Sequence, residues 1–294
     1  MRSGDMVARN YPLDVGSYSR YNVSQPRRRR GTVCIAAMCT WASQPMIVVA
    51  SDRMLTSGDI EFEPPQSKIL PLGGFTVALT SGDSAAQTTM VSDVHQSLLK
   101  ASVLDVGEIA DMYARRFAAY RRKEAEAGIL APLGLTVEEF VTRQHEMAPE
   151  LVARIAGELQ QWRGLEETRA IIAGIDTKGA HIYSVSDPGI ATCHDRIGFA
   201  AIGIGQGHAE SQFMFAGFTP TSSFERALFL TYYAKKRAEV APGVGKVTDM
   251  FYVGFSPPKV SPIYERIVQD LDAIYEKARV KEREAGESAH QEGE

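Results

Sequence analysis

The chain is poor in cysteine, has no long apolar run and carries no excess of positive charge. Its 294 residues hold three cysteines, Cys34, Cys39 and Cys193, too few to close a disulfide framework. Two of them fall in a segment that reads as a strand, where a free thiol behaves as a small apolar side chain. That usage suits a reducing cytosol, so a cytoplasmic location is expected. No stretch of eighteen uninterrupted apolar residues occurs, and the N-terminus lacks the apolar core of a secretory signal, so no membrane partner is expected. With 32 Lys and Arg against 36 Asp and Glu, a formal charge of -4 and a pI near 5.9, the chain does not have the basic excess that neutralises a phosphate backbone, and no nucleic-acid partner is expected. Familiar cofactor and metal motifs are missing too. HEMAPE at His145 has no second histidine four residues on, as a zinc-protease helix requires. GIGQG, from Gly203 to Gly207, lacks the strand-helix-strand unit and the following acidic residue of a dinucleotide site. No cofactor and no metal are expected.

What is present is an ordinary soluble composition, 44% hydrophobic and 23% charged, enough for one sizeable core. Residues 1–31 are rich in Arg, Ser, Tyr and Asn, have no apolar period and end in Arg27 to Arg30 followed by Gly31; they read as a flexible leader. From Thr32 the texture changes to TVCIAAMC, a turn at WASQP, and MIVVASD, a hairpin of β-branched and small residues. TSGDIEFEPPQSKILPL and FTVALTSGD follow as two more strand candidates, separated by Gly73 and Gly74. Then the period becomes helical. Ala86, Met90, Val94 and Leu98 share one face of a first helix, and Val106, Ile109, Tyr113 and Phe117 share one face of a second. A further helical stretch near 129–164, broken at Pro132 and Pro149, reads as an insertion. Strands return at TRAIIAGID, AHIYSVSD and GFAAIGIG, followed by helices AESQFMFAG and SFERALFLTYYAKKRAEV and a last strand VTDMFYVGF. The domain is expected to span 32–258. Residues 259–294 are expected to form an amphipathic helix, with Ile263, Ile267, Leu271 and Ile274 in one stripe, ending in a polar tail. Strands and helices in segregated blocks predict an α+β fold of two stacked antiparallel sheets between two helical layers.

Chemistry concentrates near the first strands. SDRMLTSGD runs from Ser51 to Asp59, the lysine of QSKIL lies at Lys68, sixteen positions after Asp52, and Gly82 in LTSGDSAAQ follows fourteen positions later. Upstream, Gly31-Thr32 stands where the first strand begins, twenty positions before Asp52. In these separations the chain resembles the proteasome-type N-terminal nucleophile (Ntn) hydrolases, nearest the β-subunit-like bacterial proteasome homologues. The spacing from Thr32 to Asp52 is longer than the family norm by an even insertion, which a hairpin absorbs at its turn without flipping strand faces. The resemblance implies a four-layer αββα Ntn-hydrolase sandwich. It also implies a threonine-type peptidase whose nucleophile, Thr32, is exposed by cleavage after Gly31, with a homo-oligomeric ring or array, polypeptide substrates and an ATP-dependent unfoldase partner.

The residue types suit that reaction. A threonine hydroxyl needs a base near neutrality, and a free α-amino group, with a reference pKa of roughly 7.7–8.0, is supplied by the same residue once the preceding bond is cut. Lys68 would stabilise the alkoxide and Asp52 would hold that lysine in place. The Gly82 N–H would donate to the oxyanion. Thr56 and Gly58 would pair main chain to main chain with an extended substrate. Cys34, two residues past Thr32, is a weaker second nucleophile because its separation from Asp52 and Lys68 fits less well. Two positions depart from the family pattern. Ile204 stands between Gly203 and Gly205 where a serine is usual, and the late aspartate-serine pair has no clear counterpart between Glu239 and Gly245. A catalytically inactive ring or scaffold subunit that retains its N-terminal tail is the alternative reading.

Overall fold

The computed structural model describes residues 31–57, 60–101, 105–165, 167–255 and 258–292. The leader read over 1–31 lies, apart from Gly31, outside the described residues. Strands β1 (Cys34–Trp41) and β2 (Gln44–Asp52) form the expected hairpin, in register from Cys34 opposite Ser51 to Trp41 opposite Gln44. Its turn residues Ala42 and Ser43 have φ of 48° and 64°, the left-handed pair that matches the twist of a two-residue hairpin. The stretch read as one strand from Thr56 to Leu72 is divided. β3 (Leu55–Ser57) and β4 (Ile60–Phe62) form a separate two-stranded ribbon, and β5 (Ile69–Gly73) pairs with β6 (Thr76–Ser81). Pro64 and Pro65 fall in the break, where neither has an N–H to give to a ladder.

Helices α1 (Ser84–Leu98) and α2 (Val106–Ala125) follow as expected. The helical insertion contains α3 (Val137–Arg143) and α4 (Pro149–Gln161) around an apolar cluster of its own, Leu130, Phe140 and Ile155. The break expected at Pro149 falls just ahead of it, at Met147 and Ala148, and Pro149 then opens α4 in the first turn, where its missing N–H costs nothing. The chain continues through β7 (Arg169–Asp176), β8 (Gly179–Ser186), β9 (Ile190–Cys193), β10 (Phe199–Ile202), α5 (Gln206–Phe215), α6 (Phe224–Ala238), β11 (Thr248–Phe255), β12 (Pro258–Pro262) and α7 (Glu265–Glu292). β9 and β12 go beyond the strands read from sequence. Both are edge strands, and an edge tolerates the prolines of β12. Pairing of β12 with β11 carries the sheet past residue 258.

Two five-stranded sheets result, ordered β10-β1-β2-β11-β12 and β5-β6-β7-β8-β9, and the pairings within both are antiparallel. The molecule is thus mixed α+β with antiparallel sheets. Strand alternation decides what each face meets. Cys34, Ala36, Ile47 and Val49 of the first sheet share an apolar cluster with Val77, Leu79, Ile171 and Ala173 of the second. Val33, Ile35, Val48 and Ala50 point the other way, against Phe213, Leu230 and Ala234 of α5 and α6. Ala78, Ala170 and Ile172 pack with Met90, Tyr113 and Phe117 of α1 and α2. Central strands covered on both faces explain why β1 and β2 read as continuous apolar runs.

The C-terminal stripe is rotated from the expected one. Leu271 and Tyr275 are buried, and Val268 and Ala278 pack against the same cluster, while Ile267 and Ile274 are exposed and Ile263 precedes the helix. Positions 268, 271, 275 and 278 follow the 3.6-residue period over nearly three turns. α7 also continues as helix through the polar residues expected to form a tail.

Candidate active site

Thr32 sits immediately before β1, held by its backbone. Its carbonyl accepts from the Gly205 N–H at 3.2 Å, and the neighbouring Val33 carbonyl accepts from the Asp52 N–H at 3.2 Å. Gly203 has φ +91°, and a Cβ there would lie 2.4 Å from the Thr32 carbonyl oxygen, so only glycine lets the two backbones approach this closely. Thr32 is buried.

Asp52 ends β2 and is completely enclosed. Its Oδ1 accepts from the Thr32 hydroxyl, from the Val33 N–H at 3.1 Å and from Lys68 Nζ at 3.0 Å; its Oδ2 accepts from the Gly245 N–H at 2.8 Å and the Met54 N–H at 3.2 Å. A buried carboxylate is tolerated only when its oxygens are saturated in this way. Lys68 lies just ahead of β5, where its carbonyl accepts from the Thr80 N–H at 3.3 Å. Its ammonium donates to Thr32 Oγ1 as well as to Asp52, and its side chain is 11% exposed. The three side chains read from sequence therefore meet in one continuous hydrogen-bonded run: Lys68 donates to the Thr32 hydroxyl, which donates to Asp52.

Gly82 occupies the junction between β6 and α1 with φ +93°, and a Cβ would come within 2.6 Å of Thr168 Cα. Two links put this turn at the same end of the sheets as Thr32. The Cys34 thiol donates to the Thr80 carbonyl at 3.4 Å. Arg169, paired with Ser81, donates to the side chain of Gln206, next to the Gly205 that holds Thr32. The turn itself is fixed by Gln87, which donates to the carbonyls of Ser81 at 3.0 Å and Arg169 at 2.8 Å and accepts from Tyr113.

Thr56 lies in the β3–β4 ribbon opposite Glu61, with its hydroxyl buried and without a partner among the described residues. Gly58 lies outside the described residues. Ile204 packs against the apolar cluster beneath α5 and α6. Glu239 turns to Lys235 and Lys236, so the group that meets Asp52 from that region is the Gly245 N–H. Burial pushes the Cys34 thiol up to about 12, an effect larger than the opposing pull of Lys68. A thiol so far from thiolate is a poor nucleophile.

Sequence reasoning missed the loop after α6. Gly243 has φ +84°, and its backbone lies where a Cβ on Gly31 would fall, 2.3 Å from Gly243 Cα. Lys235 anchors this loop from α6 and is completely buried. The signal was there to find: Ala227, Thr231 and Lys235 recur at the four-residue spacing of a buried stripe, which places one lysine of an apparently solvated Lys-Lys-Arg run inside. The ion pair of Arg53 with Asp249, which brackets Asp52 on the neighbouring positions, was also missed; the Arg53 Nε lies 3.0 Å from Oδ2, and these hydrogen bonds raise the guanidinium's pKa.

Among the described residues no group of three or more His, Cys, Asp or Glu side chains is arranged to hold a metal, and no helix is long and apolar enough to cross a membrane. No protein-family model matches the chain, and a search of curated proteins returns no significant match.

Proposed function

We propose that the protein is a threonine-type peptidase of the proteasome-like Ntn-hydrolase class, with a four-layer αββα sandwich as its scaffold and Thr32 as its nucleophile. The observation that carries this reading is the run from the Lys68 ammonium through the Thr32 hydroxyl to the Asp52 carboxylate, buried immediately after a Gly-Thr bond. An isolated threonine hydroxyl is inert at neutral pH. One that receives a hydrogen bond from an ammonium and gives one to a carboxylate has both charge stabilisation and an outlet for its proton.

In the unprocessed chain, Thr32 Oγ1 attacks the carbonyl carbon of Gly31 while its proton passes to Asp52. The new C–O bond replaces the Gly31-Thr32 C–N bond, and the departing nitrogen takes up a proton. Water then hydrolyses the ester, leaving a carboxylate on Gly31 and a free α-amine on Thr32. In the processed chain that amine is the base for the same attack on a substrate peptide, and the Gly82 N–H stabilises the tetrahedral oxyanion. Thr56 and Gly58 pair with the substrate backbone. A homo-oligomeric ring or array, unfolded polypeptide substrates, an ATP-dependent unfoldase and a cytoplasmic location complete the proposal. Intact-mass spectrometry tests it: the wild type should begin at Thr32, and Thr32→Ala should retain residues 1–31.

A second reading, an inactive ring or scaffold subunit, draws on two observations. Ile204 brings no hydroxyl to the site, and Gly31 wedged against Gly243 covers Thr32 while the leader is attached. A wild type that keeps its leader and hydrolyses no peptide would favour it.

A further inference from the structure

We infer that Lys235 is a positioning residue for the Thr32 site, acting through the loop between α6 and β11. Its ammonium donates to Glu239 Oε1 at 2.6 Å, to the Gly245 carbonyl at 2.9 Å and to the Lys246 carbonyl at 3.0 Å. An ammonium has three protons to give, and all three are taken. Two of the acceptors are loop carbonyls, so the buried charge fixes the backbone of the loop. That loop touches the site twice. The Gly245 N–H donates to Asp52 Oδ2, and the Gly243 backbone closes over Gly31, the residue ahead of the bond to be cut. Val247, at its far end, gives its N–H to Glu63 at 3.0 Å, beyond β4.

A lysine so deeply withdrawn from water is an expensive way to satisfy two carbonyls, since burial disfavours its charge. A helix end and its following loop are ordinarily satisfied by water or short polar caps. What the charge adds is a single loop geometry, and therefore a fixed Asp52 and a fixed Gly31 carbonyl. The inference rests on the peptidase reading for its catalytic consequence, but the holding of the loop is independent of it.

The full-length chain and its Lys235→Met and Lys236→Met variants separate these claims. Lys236 pairs with the same Glu239 at 3.3 Å and with Asp272 of α7 at 3.5 Å, and among the described residues its side chain makes no bond to the loop, so its variant is the control. Amide hydrogen exchange over residues 241–247 should quicken at least tenfold in Lys235→Met and stay at the wild-type rate in Lys236→Met. Cleavage after Gly31, followed by intact mass, should slow about 100-fold in Lys235→Met, the cost of displacing reacting groups by roughly an ångström. With fluorescein-labelled casein, the processed Lys235→Met chain should lose kcat by a similar factor at unchanged KM, a split that mere loosening of a distant loop does not produce. Unchanged loop exchange in Lys235→Met overturns the inference outright. Faster exchange with wild-type cleavage and kcat overturns its catalytic part and leaves the peptidase reading standing. A wild type that never cleaves at Thr32 defeats the peptidase reading instead, while loss of loop protection in Lys235→Met still supports the anchoring role.

Discussion

Lys68 and Lys235 approach Asp52 from opposite layers of the molecule. Lys68 comes from the sheet that carries β5 and reaches Oδ1 directly, together with the Thr32 hydroxyl. Lys235 comes from α6, on the outer face of the other sheet, and is linked to Oδ2 through the backbone of Gly245, whose carbonyl it holds and whose N–H meets Asp52. One lysine is spent on a side-chain hydroxyl, the other on main chain. The contrast teaches that a buried cation can set a site's electrostatics or its geometry, and that the atoms it touches tell which. Lys68 is still 11% exposed beside Thr32, whereas Lys235 has no access to solvent at all.

The comparison breaks most visibly if the atom between the two lysines is removed. Thr32→Ala should abolish cleavage after Gly31, a loss of about 10⁴-fold or more, with the leader present in the intact mass and no loss of fold by circular dichroism. Lys68→Met should follow at about 10³-fold in cleavage rate, the scale of removing a preorganised charge from a developing alkoxide. It should also cost about 3 kcal/mol in urea unfolding, because Asp52 stays buried with its charge partner gone. Lys235→Met should lie below Lys68→Met in its effect on cleavage; the reverse order would mean that geometry outweighs electrostatics here.

Gly31→Ala should slow processing about tenfold, the equivalent of roughly 1.4 kcal/mol of crowding, because the added methyl meets the Gly243 backbone and no flexible side chain is present to give way. The smallest effect is a slope with pH. Burial lowers the pKa of Lys235, against the pull of Glu239 and Asp52 and with a smaller push from Lys236. A base whose folded pKa lies below its unfolded value of about 10.4 costs stability while charged. That cost is fully present below the folded pKa and fades as pH rises toward the unfolded one. In urea unfolding the stability of the wild type minus that of Lys235→Met should therefore rise with pH across that window; a value that falls would contradict the direction of the shift.

How much of this was legible beforehand differs from residue to residue. Thr32, Asp52 and Lys68 were marked by spacing, and spacing works there because each is pinned to the start or end of a strand with a fixed rise. Gly82 was legible for the same reason, as the junction of β6 with α1. Gly203 was visible only as part of a glycine pair, without the reason that Thr32 lies against it. The stripe on α7 was misread because Leu271 fits two alternative stripes, and only the packed partners choose between them. β12 escaped because two prolines argue against a strand until its edge position is known.

The sequence alone determined the segregation of strands and helices, the hairpin of β1 and β2, and the candidate hydroxyl, carboxylate and ammonium, since these depend on local pattern and on counting along the chain. Only the tertiary structure decided that the loop after α6 returns to Asp52. It also decided that Gly243 closes over Gly31, and that one lysine in a run of basic residues points inward. The hydrogen bond from Gly245 to Asp52 alone joins positions 193 residues apart. Backbone groups make most of these contacts, and a backbone N–H or carbonyl leaves no trace in the identity of the residue that carries it.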